Sequence, residues 1–166
     1  MLKYLLISCL CFLSNQLIAQ HHEESSDPHH IMMEGHTLAV GVGSPYSFHV
    51  EGLGVNSRVY YNIGERLCFG PEFSLFGNDE LDIWDLDFVA HYIFETPWVG
   101  LYPVGGINYT NETEVGHESE DAFGLIWGAG LHRNIKKFTL FGEYTRVESD
   151  LEDQFITLGL FYRIQL

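Results

Sequence analysis

Two groups of side chains in this sequence could do chemistry. The first, Arg58, Glu72, Asp85, Asp87, His91 and Glu143, combines a guanidinium, carboxylates and an imidazole. Gathered away from water, such groups can neutralise one another, hold a cation or pass a proton, whereas isolated buried charge is very costly. The second group is His21, His22, His29, His30 and His36, interspersed with Glu23, Glu24, Asp27, Met32 and Met33. Imidazole with carboxylate suits zinc, nickel or copper, and thioether suits cuprous copper. No fixed spacing of the helical HxxxH kind orders these histidines, so a merely solvated tail is the competing expectation. The chain contains no GxSxG, HExxH, phosphate loop or CxxC, and an enzyme is not expected.

The first group depends on elements that can bring it together. Residues 1–19 carry Lys3, an apolar run from Tyr4 to Leu13 and a small residue, Ala19, the layout of a secretory signal cleaved near Ala19. Ser14, Asn15 and Gln16 break the run short of the roughly 20 apolar residues a membrane helix needs. Cys9 and Cys11 leave with that segment, so Cys68 alone cannot form an internal disulfide. Leu6-Ile7-Ser8-Cys9 imitates a lipoprotein box but comes too early to act as one. Residues 20–35 lack apolar periodicity and are expected to form a flexible, periplasmic tail rich in histidine and acid.

From His36 to Leu166 the sequence alternates, with no helical period, and reads as all-β. Eight strands can be traced. Their apolar faces include Leu38/Val40/Val42, Val59/Tyr61/Ile63, Phe69/Phe73/Leu75, Leu86/Phe88/Tyr92, Leu101/Ile107/Tyr109, Leu125/Trp127/Leu131, Phe138/Leu140/Tyr144 and Ile156/Leu158/Leu160/Tyr162. The opposite faces hold Gly, Ser, Thr, Asn and the first chemical group. Pro71 and Pro103 fall inside strands, where each should mark a bulge or a broken pairing. Eight is an even number, so an up-and-down antiparallel sheet can close on itself.

Volume decides which face points outward. An eight-stranded barrel is only just filled by its own side chains and cannot enclose every aromatic and leucine on the apolar faces. A soluble barrel would also present many lysines, and this chain has three: Lys3, Lys136 and Lys137. The expectation is therefore a transmembrane barrel with its apolar face in lipid, where closure satisfies every backbone polar group. Gly64-Glu65, Glu95-Thr96-Pro97 and Asn134-Ile135-Lys136 read as short turns, while Pro45 to Gly54, Thr110 to Glu120 and Glu148 to Asp153 read as longer loops. Short turns belong in the periplasm and long loops outside, which places both termini in the periplasm. The outer connectors, with the turn around Asp79 and Glu80, then form an acidic rim that carries much of the formal charge of −15 and argues against nucleic acid as a partner.

A signal segment, alternating strands, short inner turns and the closing strand FITLGLFYRIQL together resemble the small eight-stranded outer-membrane barrels of the OmpA and OmpX types, particularly those of Bacteroidetes. The resemblance covers residues 36–166. It implies a monomer in the outer membrane, with lipid, lipopolysaccharide and the barrel-assembly machinery as partners. Proteins of this group commonly end in an aromatic residue; here Leu166 stands last, leaving Tyr162 to carry that signal. Members include anchors, adhesins, narrow pores and a few lipid-modifying enzymes, so a lipid-directed hydrolase is the catalytic alternative.

Across the expected hairpins, Arg58 falls opposite Glu72, and Glu72 opposite Asp85 or Asp87. The first group thus becomes a polar plug in a closed lumen, with a narrow cation path as the alternative. No cofactor is expected beyond zinc or copper on the tail histidines. The Asn-x-Thr sequences at Asn108 and Asn111 are treated as coincidental.

Overall fold

The computed structural model describes residues 36–64, 66–78, 81–135 and 137–166. The expected signal segment and tail, with His21, His22, His29 and His30, lie outside the described residues. The chain forms eight long strands: β1 (Thr37–Ser47), β2 (Val55–Ile63), β3 (Leu67–Gly77), β4 (Leu81–Tyr92), β5 (Gly100–Glu114), β6 (Glu120–Ile135), β7 (Phe138–Glu148) and β8 (Asp153–Gln165). Each pairs antiparallel with its sequence neighbour, and β8 returns to β1 with Thr37 opposite Gln165 and Ser47 opposite Phe155. The result is a closed eight-stranded, antiparallel, up-and-down barrel, as the alternation predicts.

The strands are staggered. Following cross-strand partners from Leu38 leads through Tyr61, Phe69, Ala90, Gly105, Trp127, Arg146 and Gln154. Gln154 accepts a hydrogen bond from the amide of Phe48, so one circuit ends on β1's own line ten residues beyond Leu38. This offset tilts the strands and determines which side chains meet across the interior.

Apolar residues alternate outward as expected. Leu86, Phe88, Ile107, Leu125, Leu140 and Leu158 are between 46% and 60% exposed and belong to a belt that runs around the barrel. A contiguous apolar surface of this extent is unfavourable in water by roughly 25 cal/mol per Å². Lipid is its natural solvent.

The prolines interrupt pairing without bulging. Arg58 pairs with Glu72 and Tyr61 with Phe69 in one register, while Val59 and Tyr60 find no ladder partner opposite Gly70 and Pro71. Likewise His91 pairs with Val104, and pairing with β5 resumes in the same register only at the two-residue strand Phe94–Glu95. Each proline removes ladder bonds on one side, and the register survives because the opposite neighbour stays paired throughout.

The connectors depart from expectation. The chain does not loop from Pro45 to Gly54: β1 runs to Ser47, turns at Phe48 to Glu51, and pairs Gly52–Leu53 back onto Tyr46 and Ser47. Most of Thr110 to Glu120 is strand, which leaves only 115–119 as a turn, with Gly116 at φ 87°. Cross-strand bonds between polar residues such as Asn111 and Asp121 hold as well as those between apolar ones, so polarity alone misplaces these strand ends. A gap as long as the 48–54 connection, 93–99, lies at the opposite end.

Candidate functional site: the filled lumen

Alternation aims every second residue inward, and the interior is layered. At the end bearing the short Gly64 turn, Tyr60, His91, Tyr102, His132, Phe141 and Phe161 form an aromatic layer. His91 stacks on Tyr102 with ring centroids 4.8 Å apart, and Tyr102 on His132 at 5.6 Å. Glycines on facing strands make room for these rings: a Cβ at Gly130 would run into the Tyr102 ring, and one at Gly100 into the His132 imidazole. At the other end Phe76 stacks on Phe155 at 5.0 Å, with Val50, Ile83, Ile126 and Val147 buried around them. The lumen thus carries apolar and aromatic layers on both sides of a charged centre.

That centre is built on Arg58. Its Nη1 donates to Glu143 Oε1 at 2.8 Å, its Nη2 stands 3.1 Å from Glu72 Oε2, and its Nε donates to Asn56 Oδ1 at 2.5 Å. The guanidinium carbon lies 4.6 Å from the centre of the Phe141 ring. Tyr60 donates its hydroxyl proton to Glu72. One cation thus serves two buried carboxylates, with the Tyr60 hydroxyl as a further donor to Glu72.

Asp87 stands opposite Glu72 on the neighbouring strand, and both aspartates take hydrogen bonds from β5. Thr110 Oγ1 donates to Asp85 Oδ1 at 2.6 Å, and Asn108 Nδ2 to Asp87 Oδ1 at 2.7 Å. His91 Nε2 is 3.9 Å from Glu143 Oε2, too long for a hydrogen bond, and both atoms lack a hydrogen-bond partner. All six expected residues are therefore buried in one lumen: Glu72 and Glu143 in direct contact with Arg58, His91 beside Glu143, and the two aspartates bonded to Thr110 and Asn108. Asn56, Tyr60, Tyr102, Asn108, Thr110 and Phe141 belong to the same interior and were not singled out from sequence. Their inward parity was visible, but nothing in their residue types demanded a partner.

His36, of the second group, is described: its Nδ1 is 2.9 Å from the Tyr61 hydroxyl. Among the described residues no group of three or more His, Cys, Asp and Glu side chains is placed to hold a metal ion. At the acidic rim Ser47, His49 and Asp153 come together, but Ser47 is buried and donates to Asp153 Oδ2 at 2.5 Å, while the His49 ring faces Glu112 at 3.4 Å. No imidazole stands ready to take the Ser47 proton, as an activated nucleophile requires.

No protein-family model matches this sequence, and no curated protein matches it. Solved structures do match its fold. The N-terminal β-barrel domain of Pseudomonas aeruginosa OprF superposes with a TM-score of 0.70 at 13% identity, covering 80% of this chain and 100% of that one. Ail, the attachment invasion locus protein of Yersinia pestis, gives 0.57 at 22% identity, covering 80% and 100%. Neisserial surface protein A gives 0.58 at 14% identity, covering 80% and 98%. At these identities the likeness is one of fold: the chain has the fold of small outer-membrane β-barrels.

Proposed function

We propose that this chain is an integral outer-membrane protein with a closed lumen, serving as a structural or surface-interaction element of the cell envelope. The observation that carries this reading is the pairing of an outward apolar belt with a filled interior in which Arg58 bridges the buried Glu72 and Glu143. Such a barrel holds itself closed and meets its partners at its rims. The rim formed by the β1–β2, β3–β4, β5–β6 and β7–β8 connections bears Glu51, Asp82, Glu112, Glu114, Glu118, Glu120, Asp121, Glu148, Asp150 and Glu152. The β5–β6 hairpin reaches furthest there: its residues Glu120 to Gly124 lie beyond the last β7 partner, Glu148.

We place this acidic rim outside and both barrel termini in the periplasm. Its contact with lipopolysaccharide phosphates then runs through divalent cations, since like charges repel. Delivery by the barrel-assembly machinery and a monomeric state fit the same reading, because a closed barrel leaves no strand edge within the bilayer. No catalytic role is assigned. The test is fractionation: the protein should co-sediment with outer membrane and migrate differently on gels before and after boiling. Recovery as a soluble periplasmic monomer without detergent would overturn the proposal.

A further inference from the structure

Apart from Arg58 in the lumen and Arg146, which pairs with Glu148 and Glu152 at the acidic rim, the described basic residues gather at one end. Arg66, Arg133, Lys137 and Arg163 all lie at the end away from the acidic rim. Arg133 is the unusual one. Its neighbours on β6, His132 and Asn134, face inward, so Arg133 stands on the outer face between Leu131 and Ile135, which are 51% and 44% exposed. Opposite it on β7 is Leu140, another residue of the belt. A cation in this apolar setting calls for an anion. Arg58 and Arg146 each pair with carboxylates, but Arg133 makes no ion pair among the described residues, and neither does Lys137 on the adjacent turn. Glu95, on the nearby 93–99 connection, does not supply one.

Beside Arg133 the wall opens into a cavity of about 250 Å³, lined also by Trp98, Val99, Gly100 and Asn134. Trp98 is 77% exposed and lies within a hydrogen-bonded turn. Thr96 closes the turn that carries it: the Thr96 hydroxyl donates to the Val99 carbonyl at 2.6 Å, and the Val99 amide donates back to the hydroxyl at 3.2 Å. An indole held at the edge of an apolar belt is the side chain suited to the headgroup boundary, where one end is apolar and the other wet. A guanidinium fork matches phosphate oxygens.

We infer that Arg133, Lys137 and Trp98 form a binding site for the phosphate of an anionic phospholipid at the basic end of the barrel. The acyl chains run from Arg133 toward the bilayer centre past Leu131 and Leu140, and the phosphate meets Arg133 at the cavity mouth, with Lys137 on the adjoining β6–β7 turn. The site rests on the proposed membrane setting and specifies which lipid chemistry the barrel selects within it. It would fix the depth of the barrel in the leaflet.

The full chain in maltoside micelles, with Trp84→Phe and Trp127→Phe, leaves Trp98 as its fluorescent reporter. Titration with dilauroyl phosphatidylglycerol should give a saturable change in Trp98 emission. Arg133→Gln with Lys137→Gln should weaken half-saturation by about tenfold or more, as loss of charge-assisted bonds does. Boiled and unboiled gel migration identifies a variant that fails to fold; Arg133→Lys, which keeps the charge and loses the fork, should then give an intermediate shift. An unchanged titration in these variants, or an equal response to inorganic phosphate, would overturn the site. Failure of the unaltered protein to insert into vesicles of any composition would instead overturn the membrane reading. Normal insertion with no Arg133-dependent lipid response would overturn this site alone.

Discussion

Arg58 answers to Glu72 and Glu143 together, so its removal strands two buried carboxylates. Arg58→Ala should destabilise the refolded barrel by about 3–5 kcal/mol, seen as a lower midpoint of urea unfolding in vesicles. Arg58→Met combined with Glu72→Gln and Glu143→Gln should recover most of that loss, because no uncompensated charge then remains. Half of this arrangement was legible in the sequence. Arg58 opposite Glu72, and Glu72 opposite Asp87, follow from alternation and hairpin register. The bond from Arg58 to Glu143 does not: β2 and β7 are not neighbours, and their meeting across the lumen depends on the ten-residue stagger, which no single hairpin encodes. Asp85 and Asp87 share the lumen with the cluster, and their donors Thr110 and Asn108 on the adjacent strand were not foreseen.

At the level of the strand, packing is a matter of matching rings to glycines. Gly130→Val should push the Tyr102 ring from its place and disturb the stack with His91 and His132, a cost of about 1–3 kcal/mol by overpacking, to be read from the same unfolding curves. Outward-facing Gly105 has open space where a Cβ would sit, so Gly105→Val should leave stability nearly unchanged; an equal loss at both positions would contradict the ring-and-glycine account. The eight strands and their facing were readable because a period of two leaves no third option for a side chain. Their ends were not. Pro45, Thr110 and Glu148 look like loop residues by composition, whereas the structure carries all three in paired strands, since backbone pairing tolerates polar residues wherever a partner strand continues.

For the molecule as a whole, the layered interior predicts poor conduction. Planar bilayers containing the protein should show no large, stable pore; a reproducible conductance abolished by Glu72→Ala would contradict the closed lumen. The belt makes a complementary forecast. Leu158 lies outward at the middle of β8, and Leu158→Arg should cost about 2–4 kcal/mol of folding free energy in a bilayer, whereas the same change in water would cost little. The seam between β1 and β8 carries a different kind of consequence. Leu38 faces Ile164 in a ladder as regular as any between sequence neighbours, so the start of the first strand and the end of the last lie side by side at one rim. Geometrically the ring has no privileged starting strand. A circular permutant that joins Leu166 to His36 through a short linker and opens the chain within 115–119 should still close into the same barrel, recognisable by its heat-modifiable migration, with its new ends moved to the acidic rim.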